Sequence, residues 1–401
     1  MSSDSLDESA LKKILTSKLN HEDFVLKQFK MVLLHADGMM GEHFRLLCEI
    51  EENSTIKSHA FFVKKQAPFE AYGELPSLVF NKEKATFDMF KTINFQQMND
   101  SLPNVYYTDD KHIVFEDLTD EDYVIQTPAR VSTDEELCVI LDSLAAIHAG
   151  CIAYENKHEI KLNEAFPDAV IELYLKSRHE LLMKYYGAII KSLHTGIKVF
   201  NLPTVLKSGR KLEDEVERFM DLLNGYVKPS TKFRNSICHC DLWPANIFIK
   251  YNKNVAQHAK IIDHQIARYL PPAFDVLDCI LLNTSREYRK EHLLRLKKCY
   301  FDCFTKYLKE FGVVPSEIYT LDEFLESFKE VEMFAVFMSL ATIPLVYNVN
   351  RSLGNLVESE AKDDILLDDR SPLITNFLDN EYLMGRIKGA MLDMVDYFEN
   401  N

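Results

Sequence analysis

Strand-like alternation of apolar and polar positions dominates the chain up to residue 118, and helical spacing dominates after it. The first segment, 5–19, is itself a predicted helix, with Leu11, Ile14, Leu15 and Leu19 on one face. Three strand-like runs follow: "FVLKQFKMVLL" (24–34), "HFRLLCEI" (43–50) and "HAFFVKK" (59–65). Polar "EENSTIK" turns the chain between the last two. A helical stretch at "NKEKATFDMFKTI" (81–93) precedes two more runs, "VYYT" (105–108) and "HIVFEDL" (112–118). Five strands and one internal helix make a small unit.

Beyond "EDLTDEDYVIQ" the period changes. In "STDEELCVILDSLAAIHAGCIAYE" (132–155), Leu137, Ile140, Leu141, Leu144 and Ile147 recur at helical spacing. Ser132 and Thr133 each precede a Glu by three residues, the spacing of a capping box. Helical patterns continue to the end, broken by short apolar runs around Asn246 and Asp263. The expected fold class is α+β and bilobal. Residues 1–118 form a small lobe with a five-stranded antiparallel sheet plus helix, and 119–401 a larger, mainly helical lobe. No low-complexity linker separates them, so the boundary reads as a tight hinge.

Composition narrows the partners. A chain of 401 residues exceeds what one core usually supports, and 47% hydrophobic with 27% charged residues is the balance of a globular protein. A formal charge of −16 without a basic stripe argues against nucleic acid or anionic membrane. The start is neither signal nor transit peptide in character. The longest charge-free run, 333–350, falls short of a bilayer span of about 20 residues and contains Pro344, so it reads as a buried helix. Eight cysteines without CxxC spacing fit reduced thiols in a cytoplasmic protein. Cys238, His239 and Cys240 alternate along a strand, so they cannot easily converge on zinc.

The chemistry lies in "SICHCDLWPANIFIKY" (236–251) and "AKIIDHQIARY" (259–269). Asn246 and Asp263 offer the oxygen ligands that Mg²⁺ prefers, completed by nucleotide phosphates. Asp241, five residues before Asn246, can orient a substrate hydroxyl and accept its proton. Standing alone, the Asp and Asn would equally suit an ordinary Asx turn. From the small lobe, Lys64 in "FFVKKQAP" can reach phosphates and Glu83 can hold it; Lys65, on the opposite face, is the competitor. Gly38 and Gly41 in "ADGMMGEHF" let backbone approach phosphate, although a full GxGxxG is missing. His148 reads as a satisfied core histidine and Asp275 as a helix cap; Arg268 and Tyr269 are near enough in sequence to line the acceptor site, but read first as structural. Trp243 either packs under the loop or lines the acceptor pocket.

Taken in order, "DGMMGEHFRL", "FFVKK", "FEDLTDEDY", "SLAAIHAGCIAYE", "CHCDLWPANI", "IIDHQIARY" and "PAFDVLDCILL" resemble the ecdysteroid-kinase-like, or CHK-kinase-like, family. That family lies within the aminoglycoside phosphotransferase and choline kinase group. The resemblance implies a protein-kinase-like fold and transfer of the γ-phosphate of ATP to a small-molecule hydroxyl. It implies Asp241 as catalytic base, Asn246 and Asp263 as Mg²⁺ ligands, and Lys64 with Glu83 as the phosphate-positioning pair. It also implies a hinge at 115–118, where the Glu116 carbonyl and Leu118 amide meet adenine.

The chain departs from the family at Cys240, commonly Gly, and at His264, usually Phe. Only "HQIARYLP" separates Asp263 from the next helical pattern, too short for the activation segment of a protein kinase, so a small alcohol is the expected acceptor. A steroid such as an ecdysteroid, or a hydroxylated xenobiotic, follows from the resemblance, in a cytoplasmic monomer. The rival reading is a non-catalytic nucleotide- or ligand-binding module on the same fold.

Overall fold

The computed structural model of the protein describes residues 6–34, 41–66, 74–173, 180–347, 365 and 367–401. Helix α1 (Glu8–Leu19) starts where the Asp7 carboxylate accepts the Ala10 N–H at 2.7 Å. It lays Leu11, Ile14 and Leu15 on a five-stranded antiparallel sheet. The strands are β1 (Val25–Leu34), β2 (Gly41–Glu52), β3 (Thr55–Gln66), β4 (Val105–Thr108) and β5 (His112–Glu116), in spatial order β1-β2-β3-β5-β4. The β2–β3 hairpin turns on Asn53 and Ser54, at φ 51° and 60°, a two-residue loop whose positive φ values match the strand twist. Strand pairing therefore runs through most of the polar "EENSTIK" stretch.

Between β3 and β4 lie α2 (Leu75–Ile93) and short α3 (Gln96–Asp100). Helix α2 begins upstream of its expected start because Pro76 occupies its first turn, where no N–H is needed. After β5 the chain forms β6 (Tyr123–Ile125) and then α4 (Asp134–His158), which carries the Thr133–Glu136 capping box. Short α5 (Leu162–Ala165) and α6 (Pro167–Val170) lead to α7 (Glu180–Val199) and α8 (Leu212–Tyr226).

Next come β7 (Ser236–Cys238), β8 (Ile247–Asn252), β9 (Val255–Ile261) and β10 (Arg268–Leu270). Here β6-β8-β9 form one small sheet and β7 pairs with β10. The described helices end with α9 (Ala273–Asn283), α10 (Arg286–Glu310), α11 (Leu321–Val346), α12 (Pro372–Thr375) and α13 (Glu381–Asn400).

Two apolar clusters hold this together. The smaller joins α1 to the sheet through Leu46, Ile50, Phe61 and Val63. The larger runs from Phe87 and Phe90 of α2 through α4, α9, α10 and α11. Residues 333–346 lie in buried α11. Helix α4 is long and apolar enough to cross a membrane, but most of it is buried inside the fold. Of the acidic stretch 357–370, only 365 and 367–370 are described, and Arg370 at its end is buried.

Candidate active site

Strand β3 turns Lys64 inward, and its Nζ lies 2.6 Å from both Glu83 Oε2 of α2 and Asp263 Oδ1. Pleating sends Lys65 to the other face, where it meets Glu42 at 3.4 Å. Lys64 is buried, yet its two carboxylates outweigh the cost of desolvation and raise its pKa. Burial pushes Glu83 up against the pull of that single shared ammonium. Opposite Lys64 in the β2–β3 ladder, burial and the Lys64 charge lower His43 to about 4. Gly41 lies against the lysine stem: a Cβ there would sit 3.4 Å from Lys64 Cγ and 3.2 Å from the Lys65 carbonyl oxygen. Gly38 lies outside the described residues.

The loop after β7 is built by acids that reach it from α9. Asp275 accepts the His239 N–H at 2.6 Å and the Cys240 N–H at 3.0 Å, and Asp278 accepts the Leu242 N–H at 3.0 Å. Asn283 donates to the Leu242 carbonyl at 2.7 Å. Asp275 is thus not a helix cap: α9 starts two residues before it, and its wholly buried carboxylate holds the loop. His148 of α4 completes the support, placed between Tyr300 Oη at 2.8 Å and Asp275 at 3.1 Å. The loop turns at Cys240, in the left-handed region at φ 67°.

Asp241 emerges from this loop, and the Asn246 Nδ2 donates to its carbonyl at 2.8 Å and its carboxylate at 3.1 Å. Burial, reinforced by the nearby Asp263 charge, raises Asp241 to about 7. Trp243 packs against the larger apolar cluster, and its indole favours the charged form of Asp241.

Asn246 and Asp263 close the open end of the β8–β9 pair, where the Ile262 N–H donates to the Asn246 carbonyl at 3.0 Å. Asp263 adopts φ 65°, which turns its carboxylate out of the strand direction toward Lys64. Against the penalty of burial, Lys64 holds the Asp263 carboxyl below the usual carboxylate range. The donor set is hard oxygen, a carboxylate and a carboxamide whose nitrogen is spent on Asp241; this fits Mg²⁺. His264 does not face that space. It is buried, edge-on to Phe87, Phe90 and His239 at ring-centroid distances of 5.5, 5.1 and 4.6 Å.

At the end of β5, the Glu116 carboxylate accepts from Asn104 Nδ2 at 2.8 Å and pairs with buried Lys260 of β9. Lys260 also donates to the Leu102 carbonyl at 3.0 Å. Among the described residues, the Leu118 N–H has no acceptor. Arg268 is buried against Glu172 in a bidentate pair and stands over the Phe334 ring at 5.3 Å. It lies close enough to Asp241 to favour its charged form. Tyr269 donates to Glu155 at 2.6 Å, a structural bond.

The structure therefore brings Lys64, Glu83, Asp241, Asn246 and Asp263 together, with Gly41 beside the lysine. Glu116 and Leu118 stand at the junction with β6. The sequence reading missed Asp278, Asn283 and Lys260. Two carboxylates three residues apart in the otherwise apolar "AFDVLDCILL" were the available signal, since buried acids need partners. Cys238 does approach His148 and Asp275. Those donors are already engaged with Tyr300 and with loop N–H groups, and Cys238 Sγ faces the Leu270 carbonyl at 3.4 Å.

Comparison with known proteins adds the lineage. The sequence profile of the ecdysteroid kinase-like family matches residues 35–313. No curated protein matches the chain. Among solved structures, the GDP and kanamycin complex of APH(2")-IIia covers 98% of this chain and 100% of its own, at 13% identity and a TM-score of 0.41. The GDP complex of wild-type aminoglycoside 2'-phosphotransferase-IIIa covers 97% and 99%, at 11% identity and a TM-score of 0.40. With more than half of its residues inside the family match, the chain belongs to the ecdysteroid kinase-like family.

Proposed function

We propose that the protein is an ATP- and Mg²⁺-dependent small-molecule kinase that phosphorylates an alcohol. The observation that carries this reading is Lys64, buried and held at 2.6 Å from both Glu83 and Asp263, with Asp241 and Asn246 joined beside them. A merely structural ion pair does not call for three carboxylates and a carboxamide around one cleft. Lys64 would meet the α- and β-phosphates, and Asn246 and Asp263 would hold Mg²⁺, which would supply electrostatic neutralisation of the phosphate oxygens. Asp241 orients the acceptor hydroxyl in line with the γ-phosphorus. As the new oxygen–phosphorus bond forms, the bond to the β-phosphate oxygen breaks, ADP leaves, and the hydroxyl proton passes to Asp241. The Leu118 amide and the Glu116 carbonyl take the adenine edge, and the division near residue 118 serves as the hinge.

Family membership favours a steroid or a hydroxylated xenobiotic as acceptor, and eight free thiols favour a cytoplasmic setting.

The test incubates the protein with ATP, Mg²⁺ and a panel of steroid and xenobiotic alcohols. ADP release and the mass of each acceptor are followed. Asp241→Asn is expected to lose transfer by at least about a thousandfold while ATP still raises its melting temperature. If ATP stabilises the wild type but no alcohol is phosphorylated, the binding module is the better reading. Absence of any ATP effect removes the nucleotide site altogether.

A further inference from the structure

Away from the cleft, three cysteines meet where α4 packs on α10. Cys138 of α4 and Cys299 of α10 have their sulfurs 3.8 Å apart. Cys303 stands one helical turn beyond Cys299 on α10. All three are partly exposed, whereas Cys48, Cys151, Cys238, Cys240 and Cys279 are buried. Arg295, one turn before Cys299, is anchored to Asp134 of α4 at 2.8 Å, which brings a guanidinium to the rim of the cluster.

We propose that Cys138 and Cys299 are an oxidation site, a thiol pair that a hydroperoxide closes into a disulfide between α4 and α10. The separation must fall from 3.8 Å to a bond of about 2.05 Å, a shift within the reach of side-chain rotation and small helix motion. Cys299 is the attacking thiol. The neighbouring Cys303 lowers its pKa to about 6 against the opposing effect of burial, with Cys138 and Arg295 assisting. Burial and the neighbouring Cys299 raise Cys138, which suits the resolving partner.

The Cys299 thiolate attacks one peroxide oxygen, the O–O bond breaks, and hydroxide leaves and is protonated to water. Cys138 then attacks the sulfenyl sulfur, the S–O bond breaks, and a second water departs. Two thiols lose two electrons and two protons, and one peroxide becomes two waters. A small thiol such as glutathione reverses the step by exchange.

The bridge joins α4, which carries His148 beneath the catalytic loop, to α10, which carries Tyr300 on the same histidine. Its closure therefore tightens the support of that loop from the side remote from substrate.

The full-length protein is treated with stoichiometric hydrogen peroxide, and its intact mass and non-reduced peptides are measured. The expected result is loss of two hydrogen atoms, one linked peptide pair containing Cys138 and Cys299, reversal by glutathione, and a higher melting temperature when oxidised. Cys138→Ser and Cys299→Ser each abolish the link, and Cys303→Ser retains it. A Cys299–Cys303 link, a gain of two oxygens at Cys299 without any link, or no reaction overturns the proposal.

Discussion

Cys240 shows how a single backbone angle limits what one position accepts. Its φ of 67° places a side chain where the left-handed conformation is costly for residues other than Gly, and its sulfur is wholly buried. A Gly at this place removes the strain, and loss of a small buried thiol offsets part of the gain. Cys240→Gly is expected to stay within about 1 kcal/mol of the wild type. Cys240→Val adds β-branching and volume to a strained, filled position and should lose about 2–4 kcal/mol, read from urea midpoints. Equal stabilities for the two variants would show that the loop relaxes out of the left-handed turn. At this scale the sequence was informative about the candidate site residues and less so about the side chains that support them. Asp241, Asn246 and Asp263 were legible because local spacing binds them to two strand ends. His148 was legible as a satisfied core histidine, but the roles of Asp275, Asp278 and Lys260 were not, because their partners are set by packing across the fold.

At the scale of elements, the start of α4 gathers more interactions than a helix cap needs. Glu136 accepts the Thr133 N–H at 2.8 Å, the Tyr251 hydroxyl at 2.7 Å and a bidentate Arg130, while Thr133 accepts the Glu136 N–H at 3.3 Å. Burial opposes its charge, but these donors prevail and lower its pKa from 4.5 to about 2. The folded value lies below the unfolded one, so the stabilisation is present above pH 4.5 and is lost as pH falls through about 2. Glu136→Gln is therefore expected to cost about 2 kcal/mol at pH 7, with the gap to wild type closing between pH 4.5 and 2. Chemical denaturation across that range measures it; a gap independent of pH would assign the loss to packing. The capping box was legible because it is local, Thr133 to Glu136. Strand limits were less so. The ends of β2 and β3 leave the core and become polar, so a paired ladder looks like a turn until the positive φ angles of Asn53 and Ser54 locate it.

For the whole molecule, the division near residue 118 does not divide the apolar core. Helix α2 belongs to the small lobe by sequence, yet Phe87, Phe90 and Ile93 pack into the same apolar cluster as α4, α9 and α11. Strand β5 connects the two clusters, giving Val114 to the smaller and Ile113 and Phe115 to the larger. Lys260 of β9 adds a buried ion pair to Glu116. A pair of this kind is strongly destabilising to break from one side, because it strands a charge away from water. These links predict one cooperative unfolding transition for the full chain, despite its length of 401 residues. Trp243, the only tryptophan, reports on the loop that carries Asp241, while far-ultraviolet circular dichroism reports on all helices. Phe87→Ala, a change in α2, should cost about 3–5 kcal/mol and lower both midpoints by the same amount. Expressed alone, residues 1–118 should lack a stable fold, because the buried face of α2 loses its partners. If the Trp243 midpoint stays fixed while a separate, earlier transition moves, the lobes unfold independently and the shared cluster does not couple them.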